Sequence, residues 1–426
     1  MTTPSIGVVQ LLRVNRIYRR FWLAELVSFM GDWFTFLAIA RLVHDATGSS
    51  LAVGGVIVAQ MAPSMLFSAP AGSLADRLPR RTVMITCDVL RMVGALGFLV
   101  PRALGMEGAG FTTAVLALVG FQHALTAFFR PAASASVPAL VPPQALAAAG
   151  TLDGLSWSLG LVVGSALGGL AADHLDLWIC FTIDAATFLI SAWLLAGLPL
   201  PREAAAARSS HDGRTWWAEA VSTFDFRELF EEMRRSPLLT VSLLAKTAWG
   251  VGAAQLLLLN EFGESILGAA AASTGFGLLY AARGLGTAFG PMTAHRFLGQ
   301  GSSGLLRSIA AGFACAGAFY GIFATDPGWW VSLFCVAAAH GGGSAIWISA
   351  TVLVQRLAPD RVRGRAFALE MSLHTLVGSA SALTAGALVD AGWRPNSAVA
   401  LFAVLTGVLG SAWCLLAWRA GTAPTH

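Results

Sequence analysis

Gly72-Ser-Leu-Ala-Asp-Arg-Leu-Pro-Arg-Arg81 is a short knot of charge set between two long apolar runs, Leu51 to Leu74 and Val83 to Leu104. A run of about 20 apolar residues crosses the roughly 30 Å hydrocarbon core of a bilayer as a helix, the form that satisfies every backbone hydrogen bond within the segment. So brief a charged interval predicts two spanning helices joined by a hairpin. Three arginines against one aspartate place that hairpin on the cytoplasmic side.

Outward from the hairpin the pattern repeats. The 426 residues are 56% hydrophobic and only 12% charged, with a mean hydropathy of +0.68. A soluble domain is near a quarter charged, so that class is excluded. About twelve apolar runs follow one another, from Phe21–Leu42 to Val399–Trp418, and predict an all-α integral membrane protein. The first run follows Arg13, Arg16, Arg19 and Arg20 and reads as a signal anchor with the N-terminus inside. An even number of spans then puts both termini in the cytoplasm. The loop arginines agree, with Arg41, Arg102 and Arg394 as the exceptions outside. The pI near 9 thus reports topology and implies no nucleic-acid partner. Cys87, Cys180, Cys315, Cys335 and Cys414 all lie in apolar runs, read as small core residues, and predict neither metal site nor disulfide. Arginine-rich, alanine-rich usage suggests a GC-rich bacterial genome, and hence a bacterial inner membrane.

Between Pro199 and Ser236 the apolar pattern stops. This predicts a six-helix half at 1–198, a cytoplasmic linker at 199–236 and a second six-helix half at 237–426. Phe224 to Arg235 is amphipathic and, with Trp216 and Trp217, suits a helix along the inner membrane surface. At a spacing of 217 residues, Leu140, Pro142, Leu152, Leu159, Gly169 and Asp173 recur as Leu357, Pro359, Leu369, Leu376, Gly386 and Asp390, with Asp153 matched by Glu370. A parallel repeat of this kind is the architecture in which substrate binds between halves near the midplane.

These features resemble the major facilitator superfamily, and more narrowly its drug and macrolide efflux branch of proton antiporters. Gly72, Asp76, Arg77, Arg80 and Arg81 fit the signature after the second span, with Pro79 where many relatives have glycine. The resemblance implies a conformational latch: Gly72 admits a close helix, and Asp76 meets the positive N-terminus of a helix opening near Arg365. Gly160, Gly164, Gly168 and Gly169 resemble the efflux motif of the fifth span, with Ser165 replacing its proline, and predict a flat face where the halves meet. Pro359 to Arg365 resembles the loop before the eleventh span, while Gly290 to Arg296, the second copy of the hairpin motif, has lost its acid.

Charges at membrane depth are costly and mark functional candidates. Asp32 lies about 16 Å along the first span from Phe21, near the midplane, and is the leading proton-coupling candidate. Lys246, the sole lysine, lies similarly deep in the seventh span and reads either as a counter-charge to Asp32 across a central cavity or as a snorkelling base. Asp184 and Arg283 complete the proton-coupling set. Asp153 and Glu370 are expected to form inter-half contacts, and Asp88 with Arg91 a local ion pair. Glu25, His340 and His374 read as packing. The fourth span lacks the mid-membrane arginine of many proton-coupled members. Trp33, Phe34, Trp249, Gln255 and Trp347 are the expected cavity lining.

The resulting expectation is a monomeric secondary transporter, with no cofactor or metal and no enzymatic activity. It exports small hydrophobic or amphipathic compounds by alternating access, with protons and the lipid bilayer as its other partners. Uptake or flipping of a metabolite or lysolipid is the alternative, and a receptor or enzyme on the same scaffold a remote one. No ATP-binding loop occurs.

Overall fold

The computed structural model describes residues 6–199, 226–263, 268 and 271–422, and every element among them is helical. A short α1, Val8–Val14, leads into α2 (Arg16–Thr47), α3 (Ser50–Arg77), α4 (Arg80–Ala103), α5 (Gly108–Leu140), α6 (Pro143–His174) and α7 (Leu177–Ala196). The second half holds α8 (Arg227–Arg235), α9 (Pro237–Glu261), α10 (Ala272–Leu298), α11 (Ser302–Phe323), α12 (Trp329–Leu357), α13 (Asp360–Asp390) and α14 (Pro395–Thr422). Eleven of these are long and apolar enough to cross a bilayer. The remaining long helix is α10, whose 27 residues suffice in length but carry Arg283, His295 and Arg296. Six of the long helices lie before residue 199 and six after residue 226.

The opening hairpin is tighter than its charge suggests, because α3 ends at Arg77 and α4 begins at Arg80. Leu78 is extended, as a residue before proline prefers, and Pro79 starts the next helix without losing a needed donor. Substituting proline for the family glycine therefore suits the turn. Arg80 donates to the Ala135 carbonyl, and Arg81 to those of Ala196 and Leu198, tying the hairpin to the ends of α5 and α7.

Two seams join the halves, α3 against α13 and α6 against α10. Both depend on small residues. A Cβ on Gly386 would lie 2.6 Å from the Ser50 carbonyl, and one on Gly277 2.5 Å from the Ser165 carbonyl. Such close backbones gain packing that lipid cannot supply. Helix α6 is also distorted: residues Gly160–Gly164 form a π turn where the family proline is missing. The Ser165 hydroxyl bonds the Leu161 carbonyl in its own helix and reaches the Gly277 carbonyl across the seam at 3.2 Å. A wide turn thus bends the helix in place of a proline.

Helix α8 covers the linker end of the second half. Leu229 is buried beneath it, and Glu228 and Glu232 pair with Arg365 and Arg361 of α13. Trp216 and Trp217 lie outside the described residues.

Candidate functional site

The first half is organised around Arg91. From α4 its guanidinium donates to Asp32 of α2 and, at 3.1 Å, to the Ser28 hydroxyl; Asp88 lies 3.8 Å away, and the Phe188 ring 4.1 Å below. Asp88 is fully buried and accepts a 2.6 Å bond from the Ser191 hydroxyl of α7. Asp184, also on α7, is buried beside Thr187, and Gly31 is small enough to let both approach α2. Asp32 and Asp184 border a cavity of about 20 Å³ with Gln60, Gln122 and His123. That is room for about one water. The expected Asp88–Arg91 pair is thus a minor part of a larger network, and the spacing i, i+3 was the one visible clue to it. His123 and Gln122 of α5 were not foreseen, since a lone polar residue in an apolar run reads as packing.

The second half has a closed pair. Lys246 of α9 meets Glu370 of α13 at 2.9 Å, both buried, with the ammonium 4.4 Å from the Trp347 ring. His374 contacts the Lys246 carbonyl at 2.9 Å. Three expectations change here. Asp32 and Lys246 are not counter-charges across a cavity, because each finds an opposite charge on a neighbouring helix of its own half. Lys246 does not snorkel. Asp153 and Glu370 do not join the halves: Asp153 is exposed and pairs with Arg130 at 3.3 Å, whereas Glu370 is sealed against Lys246.

Arg283 of α10 sits between the halves, its guanidinium carbon 5.5 Å from the Trp33 ring of α2 and 5.2 Å from the Tyr280 ring. Trp33 also lies edge-on to Trp157 and Phe36 at 5.7 and 5.9 Å, so it stands in an aromatic wall at the seam. The other cavity guesses divide. Trp347 covers Lys246 and stands edge-on to His374. Gln255 is buried and donates to the Val399 carbonyl inside the second half. Trp249 fills the space over Gly343 and stands edge-on to His340, again as packing within that half. Phe34 presents its backbone to Gly168.

The glycine face also divides. Gly160, Gly164 and Gly168 pack on Phe29, Met30 and Phe34 of α2, within the first half, and Gly169 alone of the four meets α10, at Ser273. The flat face expected between halves is therefore built from Ser165 and Gly169 on one side and Gly277 on the other. Around the latch, a Cβ on Gly72 would meet nothing within 4 Å, so no helix presses on it here. The side chains of Asp76 and Arg77 lie outside the described residues. Helix α13 opens at Asp360, a turn earlier than expected, and Arg365 bonds Glu228 at 3.1 Å. In the second copy, Gly290 packs directly on Gly341, a different use of the matched position.

Two acids recognised only as a repeat make the clearest bonds between halves. Asp173, ending α6, accepts from the Thr274 amide at 2.6 Å, the Ser273 amide at 3.2 Å and the Thr274 hydroxyl at 2.7 Å, capping the N-terminus of α10. Arg41 holds the same carboxylate at 3.0 Å. Asp390, ending α13, accepts from the Ser50 amide at 2.7 Å, the Leu51 amide at 3.2 Å and the Ser49 hydroxyl at 2.6 Å, capping α3. Both caps lie at the end remote from the linker, and each matches a carboxylate to the positive end of a helix.

Twelve long helices in two repeated halves, polar centres at mid-depth and seams between the halves define a membrane transport protein. The chain belongs to the Major Facilitator Superfamily, whose model matches residues 21–382. It is 24% identical over 384 residues to the uncharacterized MFS-type transporter YfiS of Bacillus subtilis, covering 86% of this chain and 85% of that one. It is 26% identical to the enterobactin exporter EntS of Salmonella typhimurium, over 84% and 82% of the two chains. Among solved structures, a point mutant of the nucleoside transporter NupG superposes with a TM-score of 0.76 at 14% identity, covering 94% of this chain and 99% of that one.

Proposed function

We propose that this transporter exports small hydrophobic or amphipathic compounds by alternating access, driven by inward proton flow, as a monomer of the drug and macrolide efflux branch. The arginines crowd the linker end, which we assign to the cytoplasm of a bacterial inner membrane, with both termini inside. The exporter name of EntS supports the direction.

The observation that carries proton coupling is the first-half centre. Asp32 and Asp88 share one guanidinium, Arg91, and Asp184 joins Asp32 on the border of a space for about one water. A proton entering this site brings three carboxylates and one cation nearer to neutrality, and Asp32, on the cavity, is its entry point. Arg283 and Lys246 do not carry that proton: one is a guanidinium, and the other is sealed against Glu370.

Switching moves residues 1–198 against 237–426, with 199–236 as the tether. The two distal caps hold the outer face closed in this conformer. On opening they part, and Asp76 with Arg77, Arg80 and Arg81 engages the N-terminal end of α13 near Arg365 across the cytoplasmic face.

Cells producing the protein should accumulate less ethidium than cells without it, and more ethidium would mean import. Asp32→Asn should remove the response to a collapsed proton gradient. An unchanged pH dependence in that variant sinks the Asp32 role, and normal transport by Asp76→Asn sinks the latch.

A further inference from the structure

Among the described residues, Arg91 and Lys246 each hold a carboxylate, whereas no described acid lies within ion-pairing distance of Arg283. Its Nε and Nη1 are buried without a hydrogen-bond partner. The titratable groups around it are Tyr280, Tyr320 and His340, the last two bonded to each other at 2.6 Å, and none carries a carboxylate. A buried cation left uncompensated is expensive, and one kept at the seam between two moving halves marks a binding function.

The surroundings state what would bind. A guanidinium offers a planar fork of donors that matches a carboxylate in two parallel bonds. Trp33 of the first half and Tyr280 of the second flank that fork, and Trp33 continues into the edge-on wall of Trp157, Phe36 and Phe29. The charge belongs to one half and much of the ring surface to the other, so a ligand that touches both would sense their relative position.

We propose that Arg283, with Trp33 and Tyr280, is a recognition site for an aromatic carboxylate: the anion on the guanidinium and the ring along the aromatic wall. This rests on the transporter reading above and adds amphipathic anions to the compounds it would accept.

The test uses the purified full-length protein and two probes of equal shape, 2-naphthoate and the neutral 2-naphthylmethanol, with affinities measured by calorimetry. The wild type should prefer the carboxylate at least tenfold. Arg283→Gln should erase the preference, Arg283→Lys should keep part of it, and Trp33→Leu should weaken both probes alike. A wild type without preference overturns the site, as does a folded Arg283→Gln that keeps it. If Arg283→Gln fails to fold, a Lys variant with undiminished preference overturns the fork. Binding in detergent does not depend on direction. A protein that expels ethidium but ignores 2-naphthoate loses this site and keeps the export reading; one that binds 2-naphthoate and expels nothing does the reverse.

Discussion

The two halves place charge at the same depth and use it in opposite ways. In the first, Arg91 is shared by Asp32 and Asp88, and Asp32 borders a water-sized space together with Asp184. In the second, Lys246 and Glu370 form a one-to-one pair with both side chains sealed. A balanced, dry pair has no reason to exchange a proton during a cycle, whereas an acid-rich cluster with room for water does. The two halves thus differ in kind: one holds an open cluster of acids around a cation, the other a sealed pair.

The strongest way to break this contrast is to remove one member of the sealed pair. Glu370→Gln should cost about 3–5 kcal/mol, because a lone ammonium is left in an apolar interior. The double variant Lys246→Met, Glu370→Leu should recover most of that loss. Unfolding curves in detergent decide it: a cheap single variant would mean that the pair is already hydrated. In the first half, Asp32→Asn should instead leave the melting temperature nearly unchanged, since Asp88 still faces Arg91, while proton-driven transport falls about tenfold, near 1.4 kcal/mol. Equal losses of stability in the two experiments would erase the distinction.

The distal caps are where the halves agree. Asp173→Asn and Asp390→Asn should each weaken closure by about 1 kcal/mol, with near-additive effects in the double variant. Spin-label distances across that end should report populations shifted toward opening by about fivefold per site, and a population unmoved by either variant would deny the caps a role in closure. The smallest effect is expected at Asp153, the repeat partner of Glu370. Its exposed pair with Arg130 is worth under about 0.5 kcal/mol, and an Asp153→Asn loss as large as that of Glu370→Gln would contradict the burial contrast.

Spans were legible because a bilayer demands about 20 apolar residues in a row, a pattern that needs no knowledge of neighbours. Even α10 was found, although Arg283 lowers its hydropathy. Partners were not legible. Asp32 meets Arg91 because α2 and α4 turn those faces together, and helix rotation leaves no mark in an alternation of apolar letters. The same ignorance turned three glycines of α6 toward the wrong helix. Asp173 and Asp390 were visible as a recurrence, yet their targets lie about 100 and 340 residues away along the chain.

The reciprocal caps have the logic of a two-fold dimer. The fifth span of each half ends in an aspartate that closes the start of the second span of the other half, so contact i to j is answered by j to i. Two copies of a single six-helix chain placed across a two-fold axis would make both contacts with one residue position. In this protein that self-complementary surface persists within one covalent chain. The end remote from the linker is thus joined by a symmetric pair of contacts between halves whose polar centres differ.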